Sequence, residues 1–245
     1  MSSITLNDMP DTKINIDPSL KFHKKAPKAL DRKFRFVFAS MWFGGTKTVF
    51  RNLRDAISKR DDVDATWIQV GPEPEEFIGR IPPISWNWTL RGSLVVRSRV
   101  RALERAGHSF DAAFFNDHIP PSFLGRFRDR VPSVIAMDVT PLLLDKYRLE
   151  YGVPSSAGRH PIEWLKFRWT QKTYMASTFL LPWTRWVRNS LVNDYAVEDE
   201  KIKVLPPGID LKIWNSQHHA GRKEGAGEKI RILFVGEDFG RKGGI

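Results

Sequence analysis

Phe34-Arg-Phe-Val-Phe-Ala-Ser-Met-Trp-Phe-Gly-Gly-Thr46 sets a short apolar run against a glycine pair, and beyond it the hydrophobic period changes. Phe34 to Ser40, aromatic and aliphatic, reads as a strand, and Met41 to Thr46 as the loop after it. Downstream, Val49, Phe50, Leu53, Ala56 and Ile57 recur at helical spacing while Arg51, Arg54 and Lys59 can face water, so a helix follows. Val63 to Val70 is the next strand, closed by Gly71-Pro-Glu-Pro. Strand, helix and strand in that order make a crossover unit, whose two strands run parallel.

The alternation continues along the chain. A Pro- and Trp-rich stretch covers Glu73 to Thr89, after which Leu94 to Ala106 carries Val96, Val100 and Leu103 as a buried stripe beside Arg97, Arg101 and Arg105. Phe110 to Asn116 and Ser133 to Met137 are nearly all-apolar strands, the first leading into Asp117-His118 and the second into Asp138-Val-Thr-Pro141. Pro161 opens a helix whose Ile162, Trp164, Leu165, Phe167, Trp169 and Met175 form a wide apolar face, with Trp164, Phe167 and Trp169 expected in the core. Thr178 to Pro182 is a further strand, followed by a helix from about Thr184 to Tyr195 carrying Trp186, Leu191 and Val192, and then by Lys201 to Leu205 and Pro206-Pro-Gly208.

Strands alternating with helices predict an α/β domain, a Rossmann-like doubly wound parallel sheet over residues 33–214. Ligands bind such sheets beyond the carboxyl ends of the strands. That rule singles out Gly44-Gly45, the turn at His118, the turn from Asp138 to Thr140, and Thr184 to Trp186.

Residues 1–32, with Pro10, Asp17, Pro18, Lys24, Lys25 and Lys28 and little apolar periodicity, read as a mobile basic arm. Residues 215–228 read as a polar linker. Residues 229–245 read as a buried strand, Ile230 to Val235, running into a glycine-rich basic loop, the start of a second domain. The chain of 245 residues is 41% hydrophobic, enough for a real core, and has a net charge of +11, which favours an anionic partner: phosphate groups, nucleic acid or an acidic membrane face. It has no cysteine, and its first residues lack the charged and apolar regions of a secretory signal, so a cytoplasmic location is expected. No apolar run approaches the roughly 18 residues of a membrane span.

Several groups carry chemistry. Gly44-Gly45-Thr46 is either a tight strand-to-helix turn or a place where unobstructed amides face a phosphate or sugar at the positive end of a helix; it is neither a dinucleotide-binding nor a Walker glycine pattern. His118, at the cleft edge, is either structural or a group that orients or deprotonates a hydroxyl. Asp138 reads as a cap for Thr140-Pro141 and the segment after it. Arg241-Lys242, between Gly240 and Gly243-Gly244, is a basic turn or a pair of cations for a diphosphate. Lys166-Phe-Arg-Trp169, with Trp164 and Lys172, interleaves cations with aromatics, as an anionic membrane surface or an ordinary core face would. The histidines have no metal-ligand spacing, so no metal is expected.

Taken together, Leu181-Pro-Trp-Thr-Arg-Trp-Val-Arg-Asn-Ser-Leu-Val-Asn-Asp-Tyr195, Lys201-Ile-Lys-Val-Leu-Pro-Pro-Gly-Ile-Asp210 and Leu233-Phe-Val-Gly-Glu-Asp-Phe-Gly-Arg-Lys-Gly-Gly244 resemble family 4 glycosyltransferases. The resemblance implies the GT-B architecture, with this chain as an amino-terminal portion that breaks off at the start of the donor-binding domain. It implies transfer of a sugar from a nucleotide-sugar donor to a glycan or lipid-linked hydroxyl, with retention of anomeric configuration and no cofactor. By the same resemblance Gly44 and Gly45 approach the donor phosphates or the transferred sugar, His118 lies near the acceptor, and Arg241 and Lys242 neutralise the departing diphosphate. Two other readings stay open. One is a non-catalytic binding module for an anionic ligand or membrane; the other is a nucleic-acid binder, for which no recognised motif is found.

Overall fold

The computed structural model of the chain describes residues 32–71, 84, 87–147, 161–211 and 234. The basic arm, the polar linker and the basic glycine loop expected from the sequence lie outside them. The described elements, in chain order, are β1 (Phe34–Met41), α1 (Gly44–Ile57), β2 (Val63–Val70), α2 (Trp88–Arg105), β3 (Ala112–Asn116), α3 (Gly125–Arg128), β4 (Ser133–Met137), α4 (Pro141–Tyr147), α5 (Pro161–Met175), β5 (Phe179–Pro182) and α6 (Arg185–Asn193). All belong to one unit, Phe34–Ile245.

The strands form one parallel sheet in the order β2-β1-β3-β4-β5. Because crossovers between parallel strands are right-handed, the direction in which the chain steps decides which face each helix covers. The first step, β1 to β2, puts α1 on one face. The chain then returns past β1 to β3 and moves steadily outward, which puts the later helices on the other. Burial agrees with this. Val37, Ala39, Met41, Ala113, Phe115, Ile135 and Leu180 share one face and pack with Val96 and Val100 of α2, Tyr174 of α5 and Leu191 of α6. The opposite face carries Phe38 stacked on Trp67, their ring centroids 4.3 Å apart, with Phe50 of α1 meeting Trp67 edge-on at 5.1 Å. Among the described elements α1 covers that face alone, so Phe36, Phe114, Val134 and Leu181 are half-buried and Phe179 is exposed.

Two boundaries differ from the sequence reading in ways that matter for the site. Gly44 and Gly45 are the first residues of α1 and not part of the loop before it. Helix α2 starts at Trp88, inside the Pro- and Trp-rich stretch, where the Asn87 side chain accepts from the Leu90 amide at 2.9 Å. That early turn carries α2 close to the sheet at Gly92. A Cβ on Gly92 would lie 2.5 Å from Met41 Cε and 3.0 Å from Ile119 Cγ2. Gly92→Val is therefore expected to lower stability by about 1–3 kcal/mol through overpacking. A urea midpoint equal to that of the parent would mean that Met41 can swing aside.

Candidate functional site

The strand order has one topological switch point, between β1 and β3, where the chain reverses its direction of travel across the sheet. Ser40 and Asn116 are paired there in the parallel register, and both are buried; Asn116 Nδ2 donates to Ser40 Oγ at 3.3 Å. The chain leaves β1 towards Gly44 and leaves β3 towards His118 at the same edge of the sheet. Two of the four places expected from the sequence thus meet at the switch point. The other two follow β4 and β5, further out.

After β3 the Asp117 amide continues the ladder by donating to Ala136 O at 2.8 Å, and the backbone then turns to φ 83. A positive φ is uncommon outside glycine, and aspartate is among the residues that tolerate it. The turn folds the carboxylate back, so that Asp117 Oδ1 accepts from both the His118 amide and His118 Nδ1. With Nδ1 held by a carboxylate, Nε2 is the nitrogen left for a ligand, and a neutral imidazole presents it as a proton acceptor. The Ser122 hydroxyl donates to His118 O at 2.7 Å and fixes the turn from behind.

His118 lines a cavity of about 690 Å³ together with Trp88, Thr89, Phe123, Lys166 and Trp169. Its walls come from α2, the turn after β3, and α5. Trp169 Nε1 donates to Ser122 O at 3.0 Å, and its ring lies 4.9 Å from that of Phe123. Trp88 sits between the two halves of the site: its ring meets Phe43, the residue before Gly44, at 5.7 Å, and the Arg91 guanidinium carbon lies 4.8 Å from its centroid. Arg91 is buried, and sequence reading overlooked it. The one signal for its helical placement is Asn87 as an N-cap.

Gly44 has φ +44, and a Cβ on either Gly44 or Gly45 would meet nothing within 4 Å. Their side of the helix start is open, and amides in the first turn of a helix have no intrahelical acceptor. The turn itself is held by Thr46, whose hydroxyl lies 2.7 Å from Met41 O and accepts from the Phe43 amide at 3.3 Å. At the start of α4, Thr140 Oγ1 accepts from the Leu143 amide at 3.3 Å and lies 2.8 Å from Ser190 Oγ, while Asp138 is exposed. Thr184 caps α6 by accepting from the Val187 amide at 3.3 Å, and Trp186, expected among its apolar positions, is exposed. Arg241 and Lys242 lie outside the described residues.

Beneath His118 lies Tyr174, its ring edge-on at 6.1 Å, fully buried and with no hydrogen-bond partner for its hydroxyl. Burial above all, then the charges of Tyr195, Asp117 and Asp138, pushes this phenol well above its ordinary value of 10.0. A group whose folded value is raised contributes stability that is whole below the unfolded value and is lost as pH rises past it. Tyr174→Phe is therefore expected to keep or raise the melting temperature at pH 7, because no hydrogen bond is broken, and to soften the loss of stability above about pH 10. Melting curves between neutral and alkaline pH check both parts; a clear loss at pH 7 would mean that the hydroxyl has a partner after all.

A second cavity, of about 560 Å³, opens on the other face of the sheet between α1 and the segment Leu205 to Leu211; Leu53, Phe114, Leu181, Trp183 and Ile209 line it. Asn52 Nδ2 ties the two sides by donating to Gly208 O at 3.3 Å.

No protein-family model matches the sequence, and no curated protein does. Among solved structures the chain is similar to Phytolacca americana UGT2 complexed with UDP-2fluoro-glucose and pterostilbene, at 10% identity and a TM-score of 0.43 over 72% of this chain and 53% of that one. It is also similar to a UDP-glucosyltransferase from Polygonum tinctorium, capable of glucosylating indoxyl and complexed with 3,4-dichloroaniline, at 10% identity and a TM-score of 0.42 over 74% of this chain and 54% of that one. The chain spans about half the length of these two structures. Among the described residues no helix is long and apolar enough to cross a membrane, and no group of three or more His, Cys, Asp or Glu side chains converges.

Proposed function

We propose that this chain forms the acceptor-side lobe of a glycosyltransferase that moves a sugar from a nucleotide-sugar donor to a hydroxyl held in the His118 cavity. The observation that carries the reading is the Asp117–His118 pair at the switch point, its free ring nitrogen lining an aromatic-walled cavity. His118 accepts the hydroxyl proton or orients the hydroxyl towards the anomeric carbon as the new glycosidic bond forms and the bond to the diphosphate breaks. Charge developing on the diphosphate falls to the open amides of Gly44 and Gly45 and, by the family resemblance, to Arg241 and Lys242. Retention of configuration, and the reading of residues 229–245 as the opening of a donor-binding domain, rest on that resemblance alone.

Incubation of this lobe, joined to a donor-binding lobe, with nucleotide-sugars and a panel of hydroxyl acceptors, with the product anomer read by proton NMR, tests the reading. A product whose anomeric configuration matches the donor supports both the transfer and the retention; an inverted product keeps the transfer and removes the family 4 mechanism.

A further inference from the structure

Helix α5 is inside out. The side turned to the core carries Thr170, Thr173 and Tyr174, all buried, with Phe167 packed beside them. The side turned to solvent carries Trp164, 66% exposed, Leu165, 57%, Met175, 42%, and Trp169, 41%. The expectation that Trp164 and Trp169 join the core is thereby corrected, and only Phe167 packs against it. Placed at helical spacing, Trp164, Arg168 and Lys172 form one outward ridge, and Leu165 and Trp169 the next. The only carboxylate on the helix, Glu163, is taken by Lys166 at 2.8 Å, and among the described residues no acid pairs with Arg168 or Lys172.

Large aromatics and aliphatics held outward between unpaired cations suit a surface that is anionic above and apolar below, as the headgroup and acyl layers of an acidic bilayer are. Leu165, Lys166 and Trp169 also belong to the wall of the His118 cavity, so the outward face and the mouth of the cavity share an edge. We infer that the outward face of α5 docks on an anionic lipid bilayer, and that the cavity beside it receives an amphiphilic, membrane-borne hydroxyl acceptor. The second half of this inference rests on the proposed transfer reaction; the docking does not.

The test sediments the full chain with vesicles of phosphatidylcholine, with and without phosphatidylglycerol. Wild type is expected to partition onto the anionic vesicles at least about tenfold more strongly than onto the neutral ones, and the double variant Arg168→Glu/Lys172→Glu to lose that preference. Trp164→Ala/Leu165→Ala is expected to weaken binding even at high salt, where charge is screened. Arg101→Glu/Arg105→Glu on α2, equal in charge change and away from this face, is expected to bind as wild type does. Equal loss in the α2 pair would reduce the effect to overall positive charge and overturn the proposal. Binding unchanged in the α5 variants would overturn it as well, as would a dimer in light scattering that those variants dissociate. Transfer to a water-soluble acceptor, measured in parallel on a polypeptide that carries the donor-binding lobe as well, separates the two readings: transfer without vesicle binding removes the docking alone, and vesicle binding without transfer removes the enzyme and the acceptor class.

Discussion

Replacing His118 by alanine is expected, in a polypeptide that also carries the donor-binding lobe, to lower sugar transfer about a hundred- to ten-thousand-fold, the range of a positioned acid or base, while changing the melting temperature by only a few degrees. The side chain is largely buried but contributes to the fold mainly through its backbone, where Ser122 donates to its carbonyl oxygen at 2.7 Å. Asp117→Gly sharpens the test. Glycine takes φ 83 without strain, so the turn and the fold survive, yet the carboxylate that holds Nδ1 is gone. Its activity is expected to fall by a smaller factor than that of His118→Ala, with stability equal to or above that of the parent. If His118→Ala transfers at the parental rate, the histidine is structural and the acceptor hydroxyl is activated elsewhere; if Asp117→Gly unfolds, the carboxylate serves the turn and not the ring.

The second large effect is one of stability, and it lies in a contrast. Phe115→Ala is expected to destabilise by about 3–5 kcal/mol, because the ring is fully buried in the middle of the sheet and its removal leaves a cavity. Trp164→Ala, the loss of a larger ring, is expected to change stability by no more than about 0.5 kcal/mol, because that ring stands in solvent. Urea titration of the two variants reads both values. A Trp164→Ala variant as unstable as Phe115→Ala would mean that α5 is turned the other way and that the docking face does not exist.

Local pattern was enough for most of the elements. β2, β4 and α5 have the bounds that periodicity assigns them, and β1 runs one residue longer, because apolar runs closed by Gly, Pro or Asp leave little choice of length. The apolar stripe starts six residues after α2 does, because Trp88 to Ser93 contains Gly92 and Ser93, which weaken a helical pattern; both are there for close packing, Gly92 against Met41 and Ser93 with its hydroxyl 2.7 Å from Ile119 O. Of the candidate site, Gly44, Gly45 and His118 were legible because each follows a strand, whereas Arg91 was not, since it gains its meaning from the Trp88 ring beside it.

Sequence alone determined that this chain builds a parallel α/β sheet, because a strand buried on both faces and a helix buried on one leave different periods in the order of residues. Only the tertiary structure decided the rest. The strand order brings the chain exits towards Gly44 and His118 to the same edge of the sheet, the backbone at Asp117 turns its carboxylate onto the imidazole, and α5 presents its tryptophans outward. A helix with apolar residues spread around most of its circumference has no single face to bury, so its orientation is settled by what packs against it: Thr173 and Tyr174 enter the core, where the Tyr174 ring meets His118 and Tyr195, and the larger side chains are left for whatever lies outside.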